Sequence, residues 1–406
     1  KLAGIGYNYL RGSVHNLLKG TMPVNYHQIE SRLPEYGQRM KEYESALEQT
    51  EQTLWEQFTH LDEDVAVLRA KIEKAEAQLR RLYCAKPVYE ALLTHKAPPP
   101  VPASYTLIAA DGSQIAPNRH RPVQFGLINV GLIQVRLGSG QAPEVSIQSS
   151  LLEPDELLTA EGSLIGEDDV ALYRDFAERR ALLEAALTAE APVIALTDGL
   201  LDIYQQYATP QLNFQAEMRK IHQQLEGRGV ISAGYIDKPG AEMLGRMLEI
   251  LQTPEAELAG STDQKFSLRG ISDARLLSPL LTAPGERSAV FETVSKGAAQ
   301  TSLKVHFFYM NISQGGMPYL ARVEFPAWLS AQPGLVDFLH AVIFQEVQVL
   351  DTHPYPYLLH RAHELAVVTM QEHEQVEAML LQEYARQGLH PGLHSNKDAN
   401  KQLLKI

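Results

Sequence analysis

Two aspartates, each followed by glycine and each closing a short apolar run, are the residues of this chain best suited to chemistry. Tyr105-Thr-Leu-Ile-Ala-Ala leads into Asp111-Gly112-Ser113, and Pro192-Val-Ile-Ala-Leu-Thr leads into Asp198-Gly199. A buried strand that stops at a carboxylate delivers that acid to the open edge of a sheet. If the two strands are parallel neighbours, both carboxylates reach one edge and can share divalent metal. Two Mg²⁺ or Mn²⁺ ions about 4 Å apart make a water acidic and neutralise a leaving oxygen, as phosphodiester hydrolysis requires. Hard oxygen donors suit those ions. Asp-Gly is also common turn chemistry, so either dipeptide alone could be a turn.

The elements that would position these acids can be read from the same sequence. Strands are predicted at Tyr105 to Ala110, Val123 to Asn129, Leu132 to Leu137 and, more weakly, Val145 to Ser150, with Gly131 marking a turn. This reads as an antiparallel meander. A helix from about Asp168 to Glu190 precedes the strand that ends at Asp198. A helix near Gln211 to Leu225 then leads to a strand over Gly229 to Asp237. A right-handed crossover lets the strand reached through the first helix pair parallel to the first strand. The fold class is α/β: an RNase H-like mixed sheet flanked by helices, with a helical coiled-coil arm before it. A third carboxylate should come from the intervening helix, whose polar face offers Glu178 and Glu184. Glu178 lies farther from the helix C-terminus and is preferred, with Glu184 as the alternative.

Residues 239 to 300 read mostly as helix and loop. Strands return at Leu303 to Met310 and Tyr319 to Phe325, and helices close the chain at Leu335 to Leu350 and Tyr357 to Arg386. Upstream, Ser31 to Arg81 reads as long helix. Met40, Tyr43, Leu47, Thr50 and Leu54 follow a three-four spacing that Phe58, Leu61, Val65, Leu68, Ile72, Ala75, Leu79 and Leu82 continue after one slip. That is a coiled-coil seam with a stutter. Four prolines within Lys96-Ala-Pro-Pro-Pro-Val-Pro read as a stiff linker. The expected organisation is an arm over 1–95, a linker over 96–104, a nuclease-type domain over 105–390 and a polar tail over 391–406.

With 406 residues, 45% hydrophobic and 21% charged, the chain can bury a full core. It has no apolar run of membrane-spanning length and no signal-peptide core after its basic start. A lone cysteine, Cys84, excludes an internal disulfide framework and thiolate zinc clusters, and fits a reducing cytoplasm. No phosphate-binding Gly-x-x-x-x-Gly-Lys-Ser/Thr loop is present, so ATP-driven work would fall to a partner. The net charge of −13 argues mildly against nucleic acid. A local basic track is what matters, and Arg119-His120-Arg121, Arg179-Arg180 and Lys397, Lys401 and Lys405 offer pieces of one.

At these residues the chain resembles the NurA nuclease family. Asp111-Gly-Ser-Gln-Ile, with Arg119-His120 and Ile128-Asn-Val-Gly131, looks like the family's opening motif, and Thr197-Asp198-Gly199-Leu200 looks like its second. Gly285-Glu-Arg-Ser288, Phe307-Phe-Tyr309, Ala321 to Trp328 and Pro354-Tyr-Pro-Tyr through His363-Glu-Leu-Ala are similar to later blocks. The resemblance spans about Tyr105 to Arg386. It implies an RNase H-like core, a homodimer enclosing a DNA channel and Mn²⁺-dependent cleavage. It also implies 5′→3′ exonuclease and single-strand endonuclease activity, exerted with a HerA-type hexameric translocase in DNA-end resection. Asp111 and Asp198 match the family's metal-binding aspartates, Glu178 its helix glutamate, and Tyr355 and His363 a tyrosine and a histidine near the metals.

His363, three residues after His360, could bind metal or move a proton. Tyr355, between two prolines, could hold a phosphate or stack on a base. Arg119, Arg287 and Lys238 are the cations expected to meet DNA phosphates, whereas Arg322 and Glu324 alternate on a strand and could pair with each other. Two rival functions stand beside the nuclease. One is a catalytically silent coiled-coil scaffold in DNA repair; the other is a metal-dependent phosphatase acting on small esters.

Overall fold

The apolar run that ends at Asp111 is the centre of a mixed sheet. The computed structural model describes residues 24–61, 63–202, 213–254, 257–258, 266–296, 303–350 and 353–391. The polar tail from 392 onward, with Lys397, Lys401 and Lys405, lies outside the described residues. The chain divides into two compact units, Lys1–Thr53 and Leu54–Ile406.

In the first unit the described residues from Tyr26 onward are helical. Helix α1 (Tyr26–Thr59) begins there and leaves Tyr26, Ile29, Leu33, Tyr36 and Tyr43 exposed. The long continuous helix expected from Ser31 to Arg81 is not what forms. In the second unit α1 stops at Thr59, and α2 (Val65–Gln78) starts afresh where the Asp64 side chain accepts the Ala66 amide. Leu68, Ile72, Ala75 and Leu79 are buried, with α2 packed on a strand and a helix of the main body. Their three-four spacing records a core-facing helix stripe rather than a coiled-coil seam.

The body's sheet contains β1 (Leu82–Pro87), β2 (His95–Lys96), β3 (Tyr105–Ile115), β4 (Leu127–Leu137), β5 (Glu144–Leu151), β6 (Val193–Asp198), β7 (Ile231–Ile236), β8 (Arg287–Ser288), β9 (Phe291–Lys296), β10 (Val305–Asn311) and β11 (Leu320–Pro326). Its order among the described residues is β1-β9-β10-β11-β7-β6-β3-β4-β5, with β2 and β8 paired beside β10. β3 pairs parallel with β6 and β6 with β7, and the remaining pairs are antiparallel. The segment β5-β4-β3-β6-β7, an antiparallel meander extended by two crossover strands, is RNase H-like. β1 and β2 belong to this sheet, so the arm expected to reach residue 95 ends earlier. The prolines after Lys96 join two strands of one compact unit.

Helices cover both faces. α3 (Glu167–Thr188) and α4 (Phe214–Gly227) pack on one face against Ile108, Ala110, Val193 and Ala195. On the opposite face lie α7 (Pro333–Val347) and α8 (Tyr357–Ala366), which bury Leu107, Ala109, Ile194 and Leu196. The short α5 (Met243–Gln252) and α6 (Asp273–Leu277) lie between β7 and β8 in the chain, and α9 (Met370–Arg386) closes the described chain.

Three expectations are corrected here. Val123 to Leu137 does not hold two strands with a turn at Gly131; β4 runs unbroken through Gly131, directly opposite Asp111. β3 continues through the Asp-Gly dipeptide to Ile115. The closing helix is two helices, broken at Val367–Thr369, where the Thr369 side chain accepts the Glu372 amide and the Glu372 carboxylate accepts the Thr369 amide.

Candidate active site

The parallel register of β3 on β6 runs from Thr106–Val193 to Ala110–Thr197, and Asp111 and Asp198 are the next residues on each strand. Neighbouring strands lie about 4.8 Å apart and in-register residues share a face. Alternation puts both aspartates on the face covered by α7 and α8, because Ala109 and Leu196 pack there. This differs from a pair of turn residues: β6 ends at Asp198, whereas Asp111 is held mid-strand by β4.

Helix α8 brings the imidazole. His363 Nδ1 is 2.7 Å from Asp111 Oδ2, with the imidazole side chain 64% exposed. A carboxylate accepts, so Nδ1 carries the hydrogen and Nε2 is left for another partner. Gly131 makes this approach possible. A Cβ there would lie 2.6 Å from Leu365 Cβ and 2.7 Å from the Ala362 carbonyl. The break after α8 is tied to the same strands, with the Ser113 hydroxyl and the Asn129 amide both donating to the Ala366 carbonyl.

Tyr355, just ahead of α8, donates its hydroxyl to Asp198 and packs edge-on against Tyr235 at 5.4 Å between ring centroids. Burial is the main force raising the Asp198 carboxyl above its usual range, partly opposed by the Tyr355 hydrogen bond and with Asp111 and Asp237 pushing the same way as burial. The Tyr355 hydroxyl is also pushed up, first by burial and then by Asp198.

Glu178 approaches from the other face. Its Oε1 lies 2.8 Å from where a Cβ on Gly112 would sit, and Arg174 Cγ lies 2.6 Å from the same point. The glycine after Asp111 is thus a gap in the strand through which a helix carboxylate comes close. Glu178 is buried: its Oε2 accepts from Arg179 Nη1 at 2.9 Å and its Oε1 pairs with Arg174 Nε at 3.3 Å. Burial pushes its carboxyl up to about 8 against the pull of both arginines. Glu184, the alternative, is 57% exposed and pairs with Arg180 at 3.6 Å.

Of the expected DNA-facing cations, Arg119 lies exposed on a cleft of about 910 Å³, also lined by Gln114, Asn118, His120, Thr369 and His373. Lys238 is exposed immediately beyond β7 with φ of 51°, a left-handed conformation unusual for lysine. Arg287 is a correction. Its side chain is fully buried, donating to both Glu90 oxygens at 2.9 and 3.0 Å and to Asp337 at 3.1 Å, so it cannot reach a phosphate. Arg322 and Glu324 pair at 2.6 Å in the core.

The structure adds site residues that sequence reading passed over. Asp237 lies two positions beyond the residue of β7 level with Asp198, on the same face, and accepts from the Tyr319 hydroxyl at 3.3 Å. Its signal was the same strand-then-acid pattern as Thr197-Asp198, masked by the Lys-Pro-Gly that follows. Arg174 is not singled out by the sequence, and Arg179, read there with Arg180 as a piece of a basic track, is instead buried against Glu178. The donor set of carboxylates plus imidazole fits a hard divalent cation, and the Gly112 gap is where a helix carboxylate would join it. Among the described residues no three metal-capable side chains are already gathered around one point.

A mixed sheet of this order, an antiparallel meander extended by two parallel strands that carry Asp111 and Asp198, is RNase H-like. A NurA domain matches residues 105–368, and the chain belongs to the NurA family. Among solved structures, it is similar to Drosophila Piwi (11% identity, TM-score 0.29), covering 66% of this chain but only 30% of that one. It is also similar to Ciona intestinalis endonuclease V in complex with a 24mer DNA (10% identity, TM-score 0.30; 67% of this chain, 87% of that one). A third is LC9-RNase H1 (14% identity, TM-score 0.19; 41% of this chain, 77% of that one). No curated protein matches the chain. Among the described residues no helix is long and apolar enough to cross a membrane.

Proposed function

We propose that this protein is a metal-dependent DNA nuclease in which Asp111, Asp198 and Glu178 hold Mn²⁺ or Mg²⁺, two ions per site. The observation that carries the reading is the placement of Asp111 and Asp198 at successive, in-register positions of adjacent parallel strands, on the face that bears His363. When bound, the ions would supply an acidified water and charge neutralisation at the leaving oxygen. The chain's own groups do the rest. Asp111 fixes the His363 tautomer through Nδ1, leaving Nε2 to accept or return a proton or to join the ligands. Tyr355 orients the Asp198 carboxylate and adds a phenol beside the phosphate position. Arg119 and Lys238 supply phosphate contacts away from the acids.

The finer activity is 5′→3′ exonuclease and single-strand endonuclease cleavage during DNA-end resection, by a cytoplasmic homodimer working with a HerA-type translocase. The double guanidinium hold on Glu178 is the feature that favours the rival, a catalytically silent scaffold. Cleavage of end-labelled single- and double-stranded DNA with Mn²⁺, Mg²⁺ or EDTA, wild type beside Asp111→Ala, decides between them. Metal-dependent cleavage lost in the variant supports the nuclease; cleavage that survives Asp111→Ala rejects this site. No cleavage with any metal, even with the translocase added, supports the scaffold.

A further inference from the structure

The two arginines that hold Glu178 are not equivalent. Arg179 is buried (7% exposed), bonds Oε2 at 2.9 Å and is anchored by its second nitrogen to the Leu200 carbonyl at 2.8 Å, just beyond Asp198. It orients the carboxylate relative to the end of β6. Arg174 is 32% exposed and meets Oε1 at 3.3 Å, while its Nη2 makes the closer contact, 2.8 Å to Asp175. Oε1 is also the oxygen over Gly112, the residue that follows Asp111. Arg174 therefore occupies the carboxylate oxygen that faces the Gly112 gap.

We propose that Arg174 is a displaceable counter-cation: it neutralises Glu178 Oε1 until a divalent ion takes that oxygen, then withdraws to Asp175 while Arg179 keeps Oε2 oriented. The inference rests on the metal reading above. Its physical basis is that a carboxylate buried this deeply is ionised only beside a compensating charge. Arg174 can release Oε1 at little cost because the Asp175 contact remains and its guanidinium already reaches solvent. Its stem packs over Gly112, so the residue is placed by the strand and only its head group needs to move.

The test is Mn²⁺ binding to the full chain without DNA, followed by electron paramagnetic resonance of free Mn²⁺. Arg174→Met keeps the stem and removes the competing charge, and Arg174→Gln is a second variant should the first fold poorly. Either should bind Mn²⁺ about two- to fivefold more tightly than wild type, the scale of a partly exposed ion pair. Arg174→Lys should restore near-wild-type affinity. Arg179→Gln removes the same charge but loses the Oε2 anchor, and should bind more weakly. Tightening by both Arg174→Met and Arg179→Gln would mean simple through-space repulsion, and unchanged or weaker binding in Arg174→Met would mean a purely structural arginine; either overturns the proposal. If wild type binds no Mn²⁺, or Asp111→Asn binds as wild type does, the metal reading itself has failed.

Discussion

His363 Nδ1 and Asp111 Oδ2 are 2.7 Å apart although 252 residues separate them in the chain. The contact joins a helix to the central strand at the point where the parallel ladder with β6 stops. Removing a partner that orients a metal-binding carboxylate typically costs about 10- to 100-fold in metal affinity or activity. His363→Ala should fall in that range under saturating DNA, with His363→Asn recovering part of it because its amide can donate to Asp111. Single-turnover cleavage rates measure both.

Gly112→Ala should separate fold from function. The added Cβ would meet Glu178 Oε1 at 2.8 Å and Arg174 Cγ at 2.6 Å, so α3's side chains must shift. Overpacking of this kind costs about 1–3 kcal/mol. The variant should still melt cooperatively, a few degrees lower, and lose cleavage and Mn²⁺ binding out of proportion to that change.

The metal-free protein should lose stability as pH rises. Glu178 has its carboxyl raised from 4.5 to about 8 in the fold, so between those values the folded state holds a proton that the unfolded chain has released. Stability from that proton is complete below about pH 4.5 and is gone above about 8. Asp273, raised to about 6, and Glu346, raised to about 7, act with the same sign over narrower windows. Melting in EDTA at pH 5.5 and 8.5 should show the decline, and Glu178→Gln should flatten the upper part of it.

Arg287→Met should damage the fold and spare DNA contact. The substitution leaves Glu90 with only Lys96 and the Val290 amide and takes the cation from Asp337, and breaking one side of a buried pair costs up to about 3–5 kcal/mol. Urea unfolding should show that loss. At temperatures where the variant is folded, the salt dependence of its DNA affinity should equal wild type.

Arg119→Ala and Lys238→Ala should do the reverse. Each should leave melting within about 0.5 kcal/mol of wild type, as exposed substitutions do. Each should reduce the slope of log affinity against log salt by about 1, the signature of one lost phosphate contact. An unchanged slope for either removes that residue from the interface.

The legible parts of this site are those written locally. Asp111 and Asp198 are visible because a short, apolar, β-branched run that meets an acid stands out, although β3 itself continues past Asp111 to Ile115. Glu178 is preferred over Glu184 in the sequence only by its place along the helix, since the burial that distinguishes them depends on the Gly112 gap opposite. Gly131 misled because glycine signals a turn far more often than a close helix approach. Thr369 and Glu372 did carry a capping-box pattern, yet the apolar periodicity around them hid the break. Arg287 could not be placed at all: its partner Glu90 is 197 residues away, and no spacing rule reaches that far. β1 was lost for a related reason, because its strand partner β9 is contributed from the far end of the domain.

Helix α8 spans ten residues, too short to persist by itself in water. It is fastened at both ends: the Glu346 carboxylate accepts the Leu358 amide at its start, and Ser113 and Asn129 hold the Ala366 carbonyl at its finish. The position of His363 is therefore inherited from its neighbours. A peptide of this helix would carry the histidine without the aspartate that orients it.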